Sequence, residues 1–174
     1  GWISLFDGHS LTGWEPTGKA QWTVEGGAIS VNAGPSNGGF LKSTSRFSDF
    51  ELKADFWYDK SANSGIFLRC PVSNLNVGAF TCYEVNIFDG SDLYPTGSIT
   101  WFQSTMPDKV IEAPGKWNTF EINADGTHLV VKMNGKTTAD TRDDKLSSGT
   151  IALQAAGTGL LRFRNFKIRP IGGS

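Results

Sequence analysis

Only two cysteines and two histidines occur in the 174 residues of this chain, and each shortage excludes a class of chemistry. Two thiols cannot build a four-cysteine zinc site, and the spacing of Cys70 and Cys82 is not that of a dithiol redox motif. His9 and His128 have no partners at metal-ligand spacing, so both read as loop or exposed-strand residues. No apolar run approaches the roughly 18 residues of a membrane helix, so no membrane span is expected. Charge is near balance, 16 basic residues against 17 acidic, without a basic block; no nucleic acid partner is expected. No leader-like segment precedes Gly1-Trp2-Ile3, and the expectation is a secreted or periplasmic protein whose signal has been removed. No stretch keeps a helical period, and no repeat or low-complexity segment is visible.

What the sequence does contain is short alternating runs separated by Gly, Pro, Asn and Asp. They fall at 22–25, 28–31, 39–43, 50–58, 65–70, 82–88, 97–101, 117–123, 128–133, 136–140, 149–154 and 161–168. Gly26-Gly27 is a hairpin signal and Asn134-Gly135 a turn between two runs. The last run sets Leu161, Phe163, Asn165 and Lys167 against Arg162, Arg164, Phe166 and Ile168. About a dozen strands in a chain of this length predict an all-β fold, an antiparallel β-sandwich in one domain over residues 1–174.

Two of the runs are chemically unusual. In 83–88, Val85 and Ile87 point one way and Glu84 and Asn86 the other. In 65–70, Ile66 and Leu68 point inward while Arg69 shares a face with Phe67. If these runs pair, Arg69, Glu84 and Asn86 form a polar cluster on a sheet face. A plain cross-strand salt bridge between Arg69 and Glu84 is the competing reading. Cys70 ends one run and Cys82 begins the next, so a disulfide could staple the loop between them. Strict alternation sets the two thiols on different sides, and the bridge needs a twist or bulge at the rim. Two free, half-buried thiols are the alternative.

The ordered pieces resemble a family. They are Leu5-Phe6-Asp7-Gly8-His9-Ser10-Leu11-Thr12-Gly13-Trp14, Trp22-Thr23-Val24-Glu25-Gly26-Gly27, Asn63-Ser64-Gly65-Ile66-Phe67-Leu68-Arg69 and Tyr83-Glu84-Val85-Asn86-Ile87-Phe88-Asp89, followed by Thr96-Gly97, Gly115-Lys116-Trp117-Asn118, Leu153-Gln154 and Phe163-Arg164-Asn165. Together they look like the bacterial 3-keto-disaccharide hydrolase domain. The resemblance implies a concanavalin-A-like jelly roll, an exported bacterial protein acting on a saccharide, and a divalent metal such as calcium. Two departures stand out. Asn86 stands where many members carry Gln, and Ala155-Ala156 where many read Asp-His, which removes a ligand or acid/base pair.

For a 3-keto-glycoside, Glu84 is the candidate base for the acidic C2 hydrogen and Arg69 the clamp on the developing enolate oxygen. Asn86 and Gln154 are candidate partners of sugar hydroxyls. Ordinary glycosidase chemistry is a second reading, because Glu84-x-Asn86-x-x-Asp89 resembles the strand motif of jelly-roll glucanases. Without a bulge, however, Glu84 and Asp89 lie on opposite faces about 17 Å apart along the strand, against the roughly 5–5.5 Å of a retaining pair. A non-catalytic carbohydrate-binding module is the third reading. Trp57 and Trp101 are the candidate stacking platforms, whereas Trp14, Trp22 and Trp117 read as core or rim packing. Asp7-Gly8 and Asp89-Gly90 read as turns in which calcium is conceivable but not demanded.

Overall fold

Residues 50–58 alternate strictly: Phe50, Leu52, Ala54, Phe56 and Tyr58 are buried and the residues between them half-exposed, as in a strand with one face on a core. The computed structural model describes residues 1–72, 77–105 and 112–172. Among these it contains no helix and thirteen strands. They are β1 (Ile3–Ser4), β2 (Trp14–Gly18), β3 (Thr23–Glu25), β4 (Ala28–Ala33), β5 (Gly39–Phe47), β6 (Phe50–Tyr58), β7 (Ala62–Cys70), β8 (Tyr83–Ile87), β9 (Asn118–Asp125), β10 (His128–Met133), β11 (Lys136–Arg142), β12 (Gly149–Gly157) and β13 (Gly159–Pro170). No helix among the described residues is long and apolar enough to cross a membrane.

The strands form two antiparallel sheets. The larger runs β11-β10-β9-β6-β13-β4-β3 with β1 beside β13, and the smaller runs β2-β5-β12-β7-β8. Their inner faces share one core, in which Phe56, Phe120 and Phe163 of the larger sheet pack with Leu41, Ile66, Val85 and Leu153 of the smaller. This is the predicted antiparallel sandwich of the jelly-roll class. The hairpin signal and the turn are both honoured: Gly26 and Gly27 have φ of 57° and 73°, and Asn134 and Gly135 of 51° and 83°. Two successive positive φ values are what a tight hairpin turn requires.

Three local expectations are corrected. Residues 97–101 are not a strand; only Ile99 bridges, to Val85 and to Gln103. In β13 the register on β6 shifts between Arg164 and Lys167, around Asn165 at φ 51°. That bulge resets the alternation, so Leu161, Phe163, Phe166 and Ile168 all reach the core instead of falling on two faces. The third correction is in β7. Thr150 pairs Cys70 but Ala152 pairs Phe67, so β7 has an extra residue there, and Arg69 lies at φ 53°. Gly149 permits the kink, because a Cβ on it would sit 2.2 Å from the Cys70 carbonyl oxygen.

Candidate active site

The β7 bulge decides which side chains meet. It turns Cys70 to the outer face of the smaller sheet, where it joins Phe67, Cys82 and Ala152 in a small apolar cluster. Cys70 and Cys82 form the disulfide, with Cα atoms 4.6 Å apart, and so close the 71–81 loop, of which residues 73–76 lie outside the described set. The same kink swings Arg69 off that face to the end of the sandwich. There Nε donates to Ser48 O at 3.0 Å, Nη1 to Gly126 O at 2.8 Å and Leu146 O at 3.0 Å, and Nη2 to Asp49 Oδ1 at 3.0 Å. Arg69 is 1% exposed. The expected cluster of Arg69 with Glu84 is therefore not formed: Arg69 clamps three turns.

Glu84 does stand on the outer face. In β8 it lies opposite Phe67 of β7, with Asn86 opposite Gly65. The register Leu153–Ile66 sets Gln154 beside Gly65 on the other flank. Gly65 is the bare floor between them. A Cβ there would lie 2.7 Å from Glu84 Oε2 and 3.0 Å from its Cγ, so the absent side chain is what admits the carboxyl. Glu84 is 7% exposed, and loss of hydration pushes its pKa up from 4.5 to about 7. The nearby Thr100 hydroxyl acts in the opposite direction, and its oxygen is buried without a hydrogen-bond partner. Gln154 Oε1 is likewise buried and unpartnered. A carboxyl poised near neutrality beside two uncommitted polar groups is a combination common at reaction sites.

The remaining expected site residues divide. Asn86 is on the same face, but its Nδ2 donates to Tyr94 O at 2.6 Å, which ties it to the neighbouring loop. Asp89 turns to the rim between the sheets: Oδ1 accepts from Tyr58 Oη at 2.8 Å and from Thr96 Oγ1, and Oδ2 from the Ala113 N–H at 3.1 Å. With its carboxylate committed there, Asp89 does not pair with Glu84, and the glucanase-like geometry is absent. Trp57 lies on the outer face of the larger sheet, because its neighbours Phe56 and Tyr58 fill the core; it is on the opposite side of the sandwich from Glu84. Trp101 is 54% exposed and follows Thr100, whose N–H donates to Glu84 O at 3.0 Å.

Trp14, Trp22 and Trp117 are accounted for by packing, Trp22 being partly buried against the core. Trp14 is buried and donates to Leu5 O at 2.7 Å, and the Trp117 ring carries the Arg164 guanidinium 3.8 Å from its centroid. Of the described clefts, one of about 300 Å³ lies on the outer face of the larger sheet against Trp2 and Lys53, away from Glu84.

The carboxylates that suggested calcium do not fit it. Asp7 spends Oδ1 on the His9 and Ser10 amides and Oδ2 on the Ser10 hydroxyl, and Asp89 is committed as described. No group of three His, Cys, Asp or Glu side chains among the described residues could hold a metal ion. Of the two alanines after Gln154, Ala155 faces the core, while Ala156 pairs Asn63 on the Glu84 side of the sheet. Sequence reasoning missed Thr100 and Gly65 as site residues. Gly65 had a signal, a glycine inside an alternating run; Thr100 had none, because a loop brings it to Glu84.

This geometry has relatives. A stretch of 77 residues is 38% identical to a 3-keto-disaccharide hydrolase of Bacteroides thetaiotaomicron, covering 38% of this chain and 27% of that protein's length. A Parabacteroides distasonis structure provisionally assigned as a glycosyl hydrolase superposes with a TM-score of 0.87 at 18% identity, over 99% of this chain and 94% of that one. The carbohydrate-binding module CBM66 of Bacillus subtilis superposes with a TM-score of 0.64 at 19% identity, over 90% of this chain and 95% of that one. At these identities the structural likeness is one of fold. The model of the 3-keto-alpha-glucoside-1,2-lyase-like domain matches residues 1–169, and the chain belongs to that family.

Proposed function

We propose that the outer face of the smaller sheet cleaves a 3-keto-glycoside by 1,2-elimination, with Glu84 as the base. The observation that carries this reading is the buried Glu84 carboxyl, titrating near 7 above the bare floor of Gly65. The family description, a 3-keto-alpha-glucoside-1,2-lyase-like domain, agrees with it. In the ketone, the C2 hydrogen is acidic because its electron pair can move into an enolate at C3. Ionised Glu84 takes that proton. The Thr100 hydroxyl and Gln154 Oε1 are buried polar groups without a partner near this carboxyl, and their side chains take the roles of enolate and hydroxyl partners that Arg69 cannot fill. Collapse of the enolate forms the C1=C2 bond and expels the C1 oxygen substituent, which recovers a proton from the Glu84 acid. Water adding across C1=C2 then gives net hydrolysis.

The test is Glu84→Gln assayed on a 3-keto-glucoside. The substitution keeps shape and removes the base, so turnover falls by about 10²–10⁴ while sugar binding persists. In the wild type, kcat/KM rises with pH through about 7, because the carboxylate is the active form. Unchanged turnover in Glu84→Gln rules Glu84 out as the base.

A second reading, a carbohydrate-binding module without activity, is favoured by one observation: the position on this face that the family resemblance would fill with a histidine holds Ala156. A wild type that turns over no 3-keto-glucoside yet binds ordinary glycans decides for it. The Cys70–Cys82 disulfide supports an exported protein in an oxidising compartment. Free thiols in protein isolated from its native host would count against export.

A further inference from the structure

Among the described residues, exposed apolar side chains are concentrated at one place: of the five large ones, Val72, Phe80, Leu93 and Trp101 lie in the two segments that flank the Glu84 face, and Ile3 lies elsewhere. Phe80 and Trp101 are stacked, with ring centroids 5.1 Å apart and planes at 22°, and Tyr94 tilts against Trp101 at 5.8 Å. Phe80 is 69% exposed. Burial does not explain aromatic rings stacked in the open on separate loops.

The cluster is anchored from several sides. The Cys70–Cys82 bond ties the end of the Phe80 loop to the sheet, and Lys145 Nζ donates to Phe80 O at 2.6 Å. Asn86 holds Tyr94 through its carbonyl, and Glu84 O holds the Thr100 N–H next to Trp101. Ile99 and Gln103 exchange backbone hydrogen bonds of 2.9 and 2.8 Å around Trp101, which sits at φ 73°. A bulky residue rarely adopts that conformation, and strain of this kind persists only where the surroundings impose it. The aromatic step is thus wired to the same strand that carries Glu84. It lies beyond β8, the edge strand, whereas Gly65 and Gln154 lie on the sheet side of Glu84.

We infer that Phe80, Trp101 and Tyr94 form the leaving-group subsite, which takes a sugar ring carried on C1 of the keto-glycoside. The inference rests on the reading of Glu84 as base. The keto ring lies over Gly65, with C2 at Glu84; C1 is adjacent to C2, and its substituent extends past Glu84 onto the aromatic step. A pyranose suits this surface because its C–H faces stack on aromatic rings, while its hydroxyls reach the Tyr94 hydroxyl and the Trp101 indole N–H. Asn86 is then a positioning residue that acts through Tyr94.

The experiment compares wild type with Trp101→Ala and Phe80→Ala on two substrates that share a keto ring: a 3-keto-disaccharide and a 3-keto-glucosyl fluoride. Both side chains are exposed, so folding is not at stake. The expected result is a loss of about tenfold or more in kcat/KM for the disaccharide, the scale of removing a stacked anchor, with the fluoride unaffected. Equal losses on both substrates, or none on the disaccharide, overturn the subsite. Saturation-transfer NMR on Glu84→Gln, with and without Trp101→Ala, separates this idea from the reading beneath it. If Trp101→Ala silences the C1-linked ring and spares the keto ring, the subsite stands, even should Glu84 prove not to be the base. If both rings respond alike, it is overturned whatever the kinetics.

Discussion

Glu84 links chemistry to stability. Its folded pKa of about 7 exceeds the ordinary 4.5, so the native state binds the proton more tightly than the unfolded chain does. The sign follows: protonated Glu84 favours folding below about pH 4.5, and that contribution is lost as pH rises through about 7. The shift corresponds to about 3 kcal/mol at most. Urea unfolding across this window should show wild-type stability declining, while Glu84→Gln lacks that part of the slope and exceeds wild type at pH 8. Identical pH slopes in the two proteins would contradict the assigned burial. At this scale the sequence was informative about type and blind to environment. A carboxylate beside an amide on an otherwise ordinary strand singled out Glu84. Its desolvation comes from Phe67, Gly65 and the Thr100 segment, and sequence spacing does not report such neighbours.

Arg69 shows what an element can reverse. Period-two reading put it with Phe67 and Glu84; one extra residue in β7 put it among the carbonyls of Ser48, Gly126 and Leu146. A hint of it was visible beforehand, because a Cys70–Cys82 bridge needed a twist or a bulge at the rim. What could not be seen was that satisfying the cysteines would move the arginine. Arg69 is accordingly a structural residue. Arg69→Met should cost about 3 kcal/mol, because it leaves the carbonyls of Ser48, Gly126 and Leu146 without their donor, while the part-exposed Asp49 keeps the Gly126 N–H. The turnover of each folded molecule should stay at the wild-type rate. Denaturant midpoints and active-site-normalised kcat measure the two separately, and a selective loss of kcat in a stable Arg69→Met protein would restore a catalytic role. The bulge at Asn165 repeats the lesson in β13, where a clean sequence alternation conceals a phase change that delivers Phe166 and Ile168 to the core.

Across the whole molecule, the smaller sheet carries the candidate chemistry and its flanking loops carry the apolar surface. Those loops have little core of their own, so the crosslink matters: Cys70 and Cys82 are 12 positions apart. Closing such a loop is worth roughly 3 kcal/mol in the chain-entropy account. The Cys70→Ser/Cys82→Ser protein should unfold at correspondingly lower denaturant, and wild type in reductant should match it; a midpoint indifferent to reduction would show that the crosslink adds nothing. The sequence by itself determined the sandwich, since alternating runs with buried faces have few ways to hide them other than two packed sheets. It also marked both glycine-bearing turns, whereas the pairing of the Glu84 strand with the Gly65 strand entered only as a condition that the structure meets. Tertiary structure alone decided that Asp89 serves Tyr58, that Trp57 and Glu84 lie on opposite sides, that Thr100 is tied to Glu84, and that Phe80 stacks on the neighbouring Trp101. The physical reason is range. Alternation is fixed by the local backbone and survives in the sequence, whereas a bulge or a loop contact is fixed by partners tens of residues away.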